Sequence, residues 1–566
     1  MSANAGTFDN VGGTADNAGA IADQNKHPKG LYVLFGTEMW ERFSFYSMLA
    51  LFTLYLRDPN EGFGWTATQA TSLYANYLMF VYASPLIGGL IADKITGYRK
   101  AVMIGGVFFM IGHGLLSIPA IWAVYAALTF LVIGNGFFKP NVSTMVGNLY
   151  PEGSPLKDRA YNIFYMGINV GAVFAPVVME IVKAYFGFHA AFAVAAFGML
   201  ISVGILWFFK NSVEDTEKRN PLASPNQAAD VAATAVDAPP HGISDQDEGG
   251  HKAANQARQD TMNAVPDSKR IMALIVIFAI VIVFWMVFHQ NGSTLTYWAD
   301  DNTAWNVSGT ISNSINPFWI IVLTFPLVWF WGMLAKRGME PSTPTKMAIG
   351  MLLTGLSFFI LYFGAIQGEG QTPTAEQLAG GSFRINERVA TNLNADGVPQ
   401  DVLDRILAAK DADGKNLIND VKFSAKEDET TKQQISGEQG YIDTINQAAP
   451  GAGTQYRDAF LQRSYLFQVS PFWLILAYAV ISLGELMLSP MGLSLVSKVA
   501  PIHMRGLLMG GWFVATAIGN KLTMIGIYWS IWYQSSFFII LGLMAIIMSI
   551  VLFALLKPLK RAMPGV

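Results

Sequence analysis

Twelve apolar runs, each long enough to cross a hydrocarbon layer, leave this chain of 566 residues few folds to choose from. They lie near 31–56, 68–92, 101–118, 121–146, 160–182, 188–209, 270–290, 311–335, 346–366, 464–496, 507–528 and 533–557, where a spanning helix needs about 20 residues. Only Pro119 and its neighbours separate the third run from the fourth. Charged residues make up 14% of the chain, against roughly 25% in a soluble domain, and the mean hydropathy is +0.35. The expected fold class is an all-α polytopic membrane protein with twelve transmembrane helices. The absence of cysteine excludes disulfides, thiolate chemistry, iron–sulfur clusters and cysteine-held zinc. No cofactor is expected.

Orientation follows from the short loops. Lys26 and Lys29, Lys94, Arg99 and Lys100, Lys157 and Arg159, Lys210, Lys269 and Arg270, Lys336, Arg337 and Lys346, Lys498 and Arg505, and Lys557, Lys560 and Arg561 all fall on the side of the N-terminus. The opposite short loops hold little more than Arg57 and Lys183. The positive-inside rule then makes both termini cytoplasmic. Residues 1–30 are polar and Gly/Ala/Asn-rich, unlike a cleavable signal peptide, and read as a disordered cytoplasmic tail.

Two polar segments divide the rest. Residues 211–269, rich in Ala, Asp, Gln, Asn and Pro, read as a flexible cytoplasmic linker between a first six-helix bundle, 31–210, and a second, 270–557. Residues 558–566 form a cytoplasmic tail. Residues 367–463 interrupt the second bundle on the outer side, where Val402, Leu403, Ile406 and Leu407 give a short helical stripe. Two equal bundles joined by a soft linker are the form of a carrier whose halves rock about a site at the bilayer midplane.

Several ionisable residues stand where lipid would penalise them. Glu38, Glu41 and Arg42 share one helical face in the first run, and Tyr46 extends that face by a turn. Lys139 stands in the fourth run, Asn169 in the fifth, and Glu485 in the tenth with Ser489 one turn on. Charges inside a span face a bundle interior or a wet cavity and mark proton or substrate paths. A lone lysine there is costly without a carboxylate, and Glu38, Glu41 and Glu485 are the available partners. A static ion pair that merely joins helices would account for one lysine and one glutamate, but not for ionisable residues spread over three spans.

The motifs ERFSFY at 41–46 preceded by Glu38, GGLIADKITG at 88–97, GNGFFKPN at 134–141, FYMGINVGA at 164–172 and GELMLSP at 484–490 resemble the proton-dependent oligopeptide transporters of the major facilitator superfamily. The resemblance covers essentially all twelve spans. It implies the major facilitator fold, two six-helix bundles, and proton-coupled symport of di- and tripeptides into the cell by alternating access, with no enzymatic activity. It also implies a multi-pass protein of the plasma membrane, a bacterial inner membrane, whose partners are short peptides, protons and lipid.

Carried over by position, the resemblance makes Glu38, Glu41 and Arg42 the proton-responsive cluster. Arg42 also lies close to the substrate, and Lys139 pairs with the first-run acids or with the peptide carboxylate. Tyr46 and Tyr77 line the cavity, Asn169 and Asn316 bond the peptide backbone or termini, and Glu485 receives the amino group with Ser489 nearby. Trp285 supplies an apolar wall. A zwitterionic peptide presents one charge at each end, so Arg42 and Lys139 on one half and Glu485 on the other would clamp it across the gap. Amide and tyrosine hydroxyl groups serve the backbone that every peptide shares. Coupling is expected from exchange of Lys139 between a glutamate and the substrate, which changes whether that glutamate holds a proton.

The sequence departs from the family pattern in places. Ser47 and Leu49 stand where a glycine and a further arginine are common, and His289 stands where many members carry an acid one turn beyond Trp285. A histidine exchanges a proton near neutral pH, so His289 joins the proton-coupling candidates. The alternative is a neutral hydrogen-bonding role. The linker is too polar to hold the two extra helices often found there in bacterial relatives. Asp93, beside Lys94, and Pro490, just past Glu485, are candidates for gating. Pro85, Pro140, Pro176, Pro326 and Pro471 also lie in or near runs and could bend them.

Competing readings are a proton-coupled carrier of nitrate or another small organic acid, and a peptide receptor without turnover. Loss of Glu485 should damage peptide uptake more than uptake of an anion, and many substrates accumulated per protein would exclude a receptor. No HExxH-like metal pattern, Ser/His/Asp grouping or phosphate loop is present. The scattered bases do not form a nucleic-acid surface. Both halves of the expected cavity lie in one chain, so a monomer should suffice.

Overall fold

The computed structural model describes residues 27–150, 156–217, 264–427, 434–501 and 504–564. The expected disordered tail therefore lies almost entirely outside the described residues, as does most of the expected linker. The first half contains α1 (Lys29–Arg57), α2 (Ala67–Ile91), α3 (Tyr98–Leu116), α4 (Ile121–Asn148) and α5 (Leu156–Phe208). The second contains α6 (Asp267–Phe288), a short α7 (Thr294–Asp301), α8 (Ile315–Lys336), α9 (Thr343–Glu369), α10 (Pro471–Val499), α11 (Arg505–Leu522) and α12 (Gln534–Ala562).

Among the described residues nine helices are long and apolar enough to cross a membrane. α1 is not among them, because Glu38, Glu41 and Arg42 lower its hydropathy, and neither is α11. α5 covers the expected fifth and sixth runs and breaks between them at Gly187, whose φ of 81° departs from the helix. Only glycine takes that conformation readily, and Glu61 fills the corner by accepting the Phe188 N–H at 2.7 Å. The tenth run begins later than its hydropathy implies, at Pro471, where Ser470 caps the helix. Residues Arg457–Ser464 form a separate short helix. Pro471 thus starts a helix, where a missing N–H costs nothing, and does not bend one. Pro85, Pro140, Pro176, Pro326 and Pro490 lie inside helices.

Glycine sets the closest helix contacts. A Cβ on Gly88 of α2 would lie 1.9 Å from the Gly136 carbonyl oxygen of α4, and one on Gly484 of α10 would lie 2.7 Å from that of Gly350 on α9. Small residues let helices approach in this way where lipid offers no hydrophobic drive for association. Each half has its own apolar core, the first around Phe52, Phe109 and Phe138, the second around Trp285, Trp298 and Trp512.

Residues between α9 and α10 form a small body with a third core that includes Phe383, Leu403, Ile406, Tyr441 and Phe460. The stripe at Val402, Leu403 and Ile406 lies on the buried face of the helix Gln400–Ala408. Hydrogen bonds between the two halves gather at the end of the bundle that carries this insert. Thr53 donates to the Gly292 carbonyl at 3.1 Å, Thr68 to that of Ile527 at 3.1 Å, and Ser314 to that of Val173 at 2.8 Å.

Candidate functional site

The face predicted on α1 is a compact buried ion cluster. Arg42 Nε reaches Glu41 Oε2 at 2.5 Å, a second guanidinium nitrogen donates to Glu41 Oε1 at 2.7 Å, and Nε lies 3.2 Å from Glu38 Oε1. All three side chains are within 2% of complete burial. Arg42 also lies over the Phe45 ring, 4.9 Å from its centroid. Two carboxylates share one guanidinium here, so the cluster as drawn together has room for a proton. Gly171 of α5 permits this: a Cβ there would lie 2.4 Å from the Met39 carbonyl oxygen and 3.2 Å from Arg42 Cβ.

Lys139, also buried, places its ammonium 5.5 Å from the centroid of Tyr82, a distance at which a cation is attracted to a ring face. Tyr82 also packs beside His289, with ring centroids 5.5 Å apart. Tyr82 thus lies between a base of the first half and a histidine of the second. Sequence reasoning passed over it, although Tyr74 and Tyr82 stand eight residues apart on one face of α2.

His289 sits at the C-terminal end of α6, where the helix gives way to a tighter turn at His289–Gly292. Trp285 and Phe288 pack against its ring at 5.0 Å and 5.4 Å. Neither ring nitrogen has a hydrogen-bond partner among the described residues. Trp285 is fully buried, and Gly519 of α11 abuts it, since a Cβ there would lie 2.7 Å from Trp285 Cβ.

On the second half, Asn316 of α8 donates from one amide nitrogen to Glu485 Oε2 and to Ser482 Oγ, each at 2.9 Å. Ser482 in turn donates to the Tyr478 carbonyl at 2.7 Å. Asn316 and Glu485, named separately from sequence, are therefore one unit, and Ser482 is a member that sequence reasoning missed. Its position three residues before Glu485 on the same helix was the available signal. Ser489 is buried on the same helix.

Tyr46 lies within electrostatic reach of Arg42, and Tyr77 within reach of Glu41 and Arg42. Asn169 donates to the Tyr165 carbonyl of its own helix at 3.1 Å. The Tyr77 hydroxyl is buried without a hydrogen-bond partner among the described residues, and Tyr46 is half-buried with its ring 5.4 Å from Phe45. Asp93 lies far along the chain from these groups, in the turn Ala92–Thr96, where it accepts from the Tyr98 hydroxyl at 2.8 Å. Pro490 lies within α10 five residues beyond Glu485. By helical rise, Arg42, Lys139 and Glu485 stand roughly 14–21 Å from the ends of α1, α4 and α10 remote from the insert, so each lies well inside its helix. Among the described residues no group of three or more His, Asp or Glu could hold a metal ion.

The chain is 27% identical to an uncharacterized transporter of Bacillus subtilis, with 95% of this chain and 96% of that one aligned. It is 25% identical to a di-/tripeptide transporter of Lactococcus lactis subsp. lactis, over 95% and 97%. A crystal structure of a mutant peptide transporter in complex with alafosfalin superposes with a TM-score of 0.67 at 26% identity, covering 95% of this chain and 96% of the other. The family model described as the POT family matches residues 99–386 and 446–537, which is most of the chain, and the protein belongs to that family.

Proposed function

We propose that the protein carries di- and tripeptides into the cell together with protons, by alternating access of a central site to the two sides of a bacterial inner membrane. The observation that carries the reading is the pair of buried poles well inside their helices: Arg42 and Lys139 in the first half, and Glu485, held by Asn316, in the second. A zwitterionic peptide matches those poles at both ends, and binding it links the halves. Relatives with the same architecture are peptide transporters by name.

The broken α5, the charged α1 and α11, taken with the remaining long helices, support twelve spans in two bundles of six. Loop bases support cytoplasmic termini, which puts the insert outside. Since both poles lie in one chain, a monomer completes the site.

Coupling follows from competition for cations. Glu41 holds Arg42 through two contacts, and Glu38 lies beside the same guanidinium. A proton arriving on Glu41 weakens that hold and lets Arg42 turn to a peptide carboxylate, with Lys139 adding the second positive charge. On the other pole the substrate ammonium approaches Glu485. When the peptide leaves, Arg42 returns to its carboxylates and the proton is released. Tyr82 and His289 lie along the seam between Lys139 and α6, where a proton path from outside would enter.

The test is uptake of labelled dialanine into liposomes holding the purified protein, with an inward proton gradient and a negative interior. Uphill accumulation that collapses with the gradient is the expected result. Binding without accumulation would replace the carrier by a receptor, and neither would overturn the peptide assignment.

A further inference from the structure

The insert is continuous in sequence with the second half, yet much of its bonding is to the first. Asp420 accepts from Arg57, at the end of α1, at 3.2 Å, and from the Ala67 N–H at the start of α2 at 2.5 Å. Asn416 donates to the Gly64 carbonyl at 2.8 Å, and Lys415 to that of Pro59 at 2.9 Å. The segment 415–420 thus lies along the loop joining α1 to α2. Toward its own half the insert is tied as firmly. Arg384 donates to Asp301 at 2.9 Å and pairs with Asp420 at 3.4 Å, while Lys422 donates to Asp300 at 3.0 Å and lies 3.4 Å from Asp301.

This network is buried: Arg57, Asp301, Arg384 and Asp420 are each under 8% exposed. Arg57 also lies over the Tyr297 ring at 4.2 Å. Asp420 alone among the described non-glycine residues has a positive φ, 63°, a conformation unfavourable for most side chains. The backbone there accepts strain to deliver its carboxylate to both halves. Buried ion pairs are costly to break one partner at a time, and separation of the halves at this end, with the insert moving with its own half, removes Arg57 from Asp420.

We infer that the insert is a clasp that holds the carrier shut toward the outside, with Asp420 as the tooth that engages Arg57 and Ala67, and that each transport cycle requires the segment 415–420 to let go of the first half. This rests on the alternating-access reading and on the insert facing outward. The same halves also meet at that end through Thr53 with Gly292, Thr68 with Ile527, Lys183 and Glu180 against Ser308, Lys521 with Asn76, and Arg57 over the Tyr297 ring. To these the clasp adds a buried ion pair, Arg57 with Asp420.

Two experiments test it, and the cysteine-free chain suits both. Thr53→Cys places a reporter on a buried residue at the seam. Adding Asp420→Asn keeps an oxygen for the Ala67 N–H but removes the charge that faces Arg57. Labelling of the reporter from outside by a membrane-impermeant maleimide should then quicken about tenfold, the equivalent of about 1.4 kcal/mol; an unchanged rate would overturn the clasp. In the second, Gly64→Cys with Lys415→Cys joins residues for which a Cβ on Gly64 would stand 3.3 Å from Lys415 Cβ. Oxidation should stop dialanine uptake and a reductant should restore it, whereas uptake that continues with the crosslink formed would overturn the proposal. Should the unsubstituted protein accumulate no dialanine, the transport reading fails, and the labelling ratio, which needs no substrate, decides the clasp by itself.

Discussion

Glu485→Gln isolates the pole that distinguishes a peptide from a simple anion. Glu485 is 5% exposed, and its Oε2 accepts from Asn316 at 2.9 Å. A glutamine keeps both the length of the side chain and an oxygen that Asn316 can still bond, so the link between α8 and α10 survives and folding should be unaffected. What disappears is the negative charge that faces a substrate ammonium. A hydrogen bond to a charged group is worth about 1.5–3 kcal/mol, and at about 1.4 kcal/mol per factor of ten dialanine should lose roughly 10- to 150-fold in kcat/KM. Burial favours the upper part of that range, because water screens little there. The assay compares dialanine with N-acetyl-dialanine, which lacks the ammonium, in the wild type and the variant. The blocked peptide should be poor in both and should lose less than about threefold on substitution. Equal losses for the two substrates would refute the assignment, since Glu485 would then be acting on the fold or the cycle and not on the amino group.

Glu41→Gln should abolish uphill, acid-driven accumulation while leaving exchange of labelled for unlabelled dialanine, because the gate and the cavity remain; intact accumulation with altered affinity only would remove Glu41 from coupling. His289→Gln should leave exchange in place and lower acid-driven accumulation, because His289 stands against Tyr82 on the seam beside Lys139. Accumulation equal to the wild type would make His289 a wall residue only. Gly88→Leu forces a side chain against the Gly136 carbonyl, with no room for even a Cβ at 1.9 Å. It should destabilise the first half by about 1–3 kcal/mol or more, and an unaltered melting curve in detergent would contradict the close packing of α2 on α4.

Much of the central site could be read from sequence because bilayer physics makes a charge conspicuous. Glu38, Glu41, Arg42, Lys139 and Glu485 each interrupt a run of apolar residues, and a lipid-facing charge is so costly that its position announces an interior. Neutral partners carry no such signal. Ser482 and Tyr82 are ordinary residues of apolar helices, and only the fold brings one to Asn316 and the other between Lys139 and His289. The helix limits were blurred for a related reason. Apolar residues of the segment before Pro471 extended the tenth run, since hydropathy does not report where a chain turns. The clasp was hidden most completely. Arg57 read as a sparse outer base, and Asp420 as one acid in a polar insert 363 positions away in sequence.

The two buried charge systems hold the molecule in different ways. Arg42 meets Glu38 and Glu41 within one helix, and Asn316 meets Glu485 between two helices of the same half. Those contacts travel with their halves when the bundle rocks, so they neither resist nor drive the motion, and they are available to exchange partners with a substrate or a proton. The contacts of Asp420 cross from one half to the other, so they resist separation directly. A carrier built this way needs its substrate and proton to change the balance at the centre by enough to release a latch at the rim. Weakening the rim by Asp420→Asn should therefore alter how often the site faces outward without changing which peptide it prefers. Weakening the centre by Glu485→Gln should change the preference while leaving the accessibility of Thr53→Cys without substrate as it was.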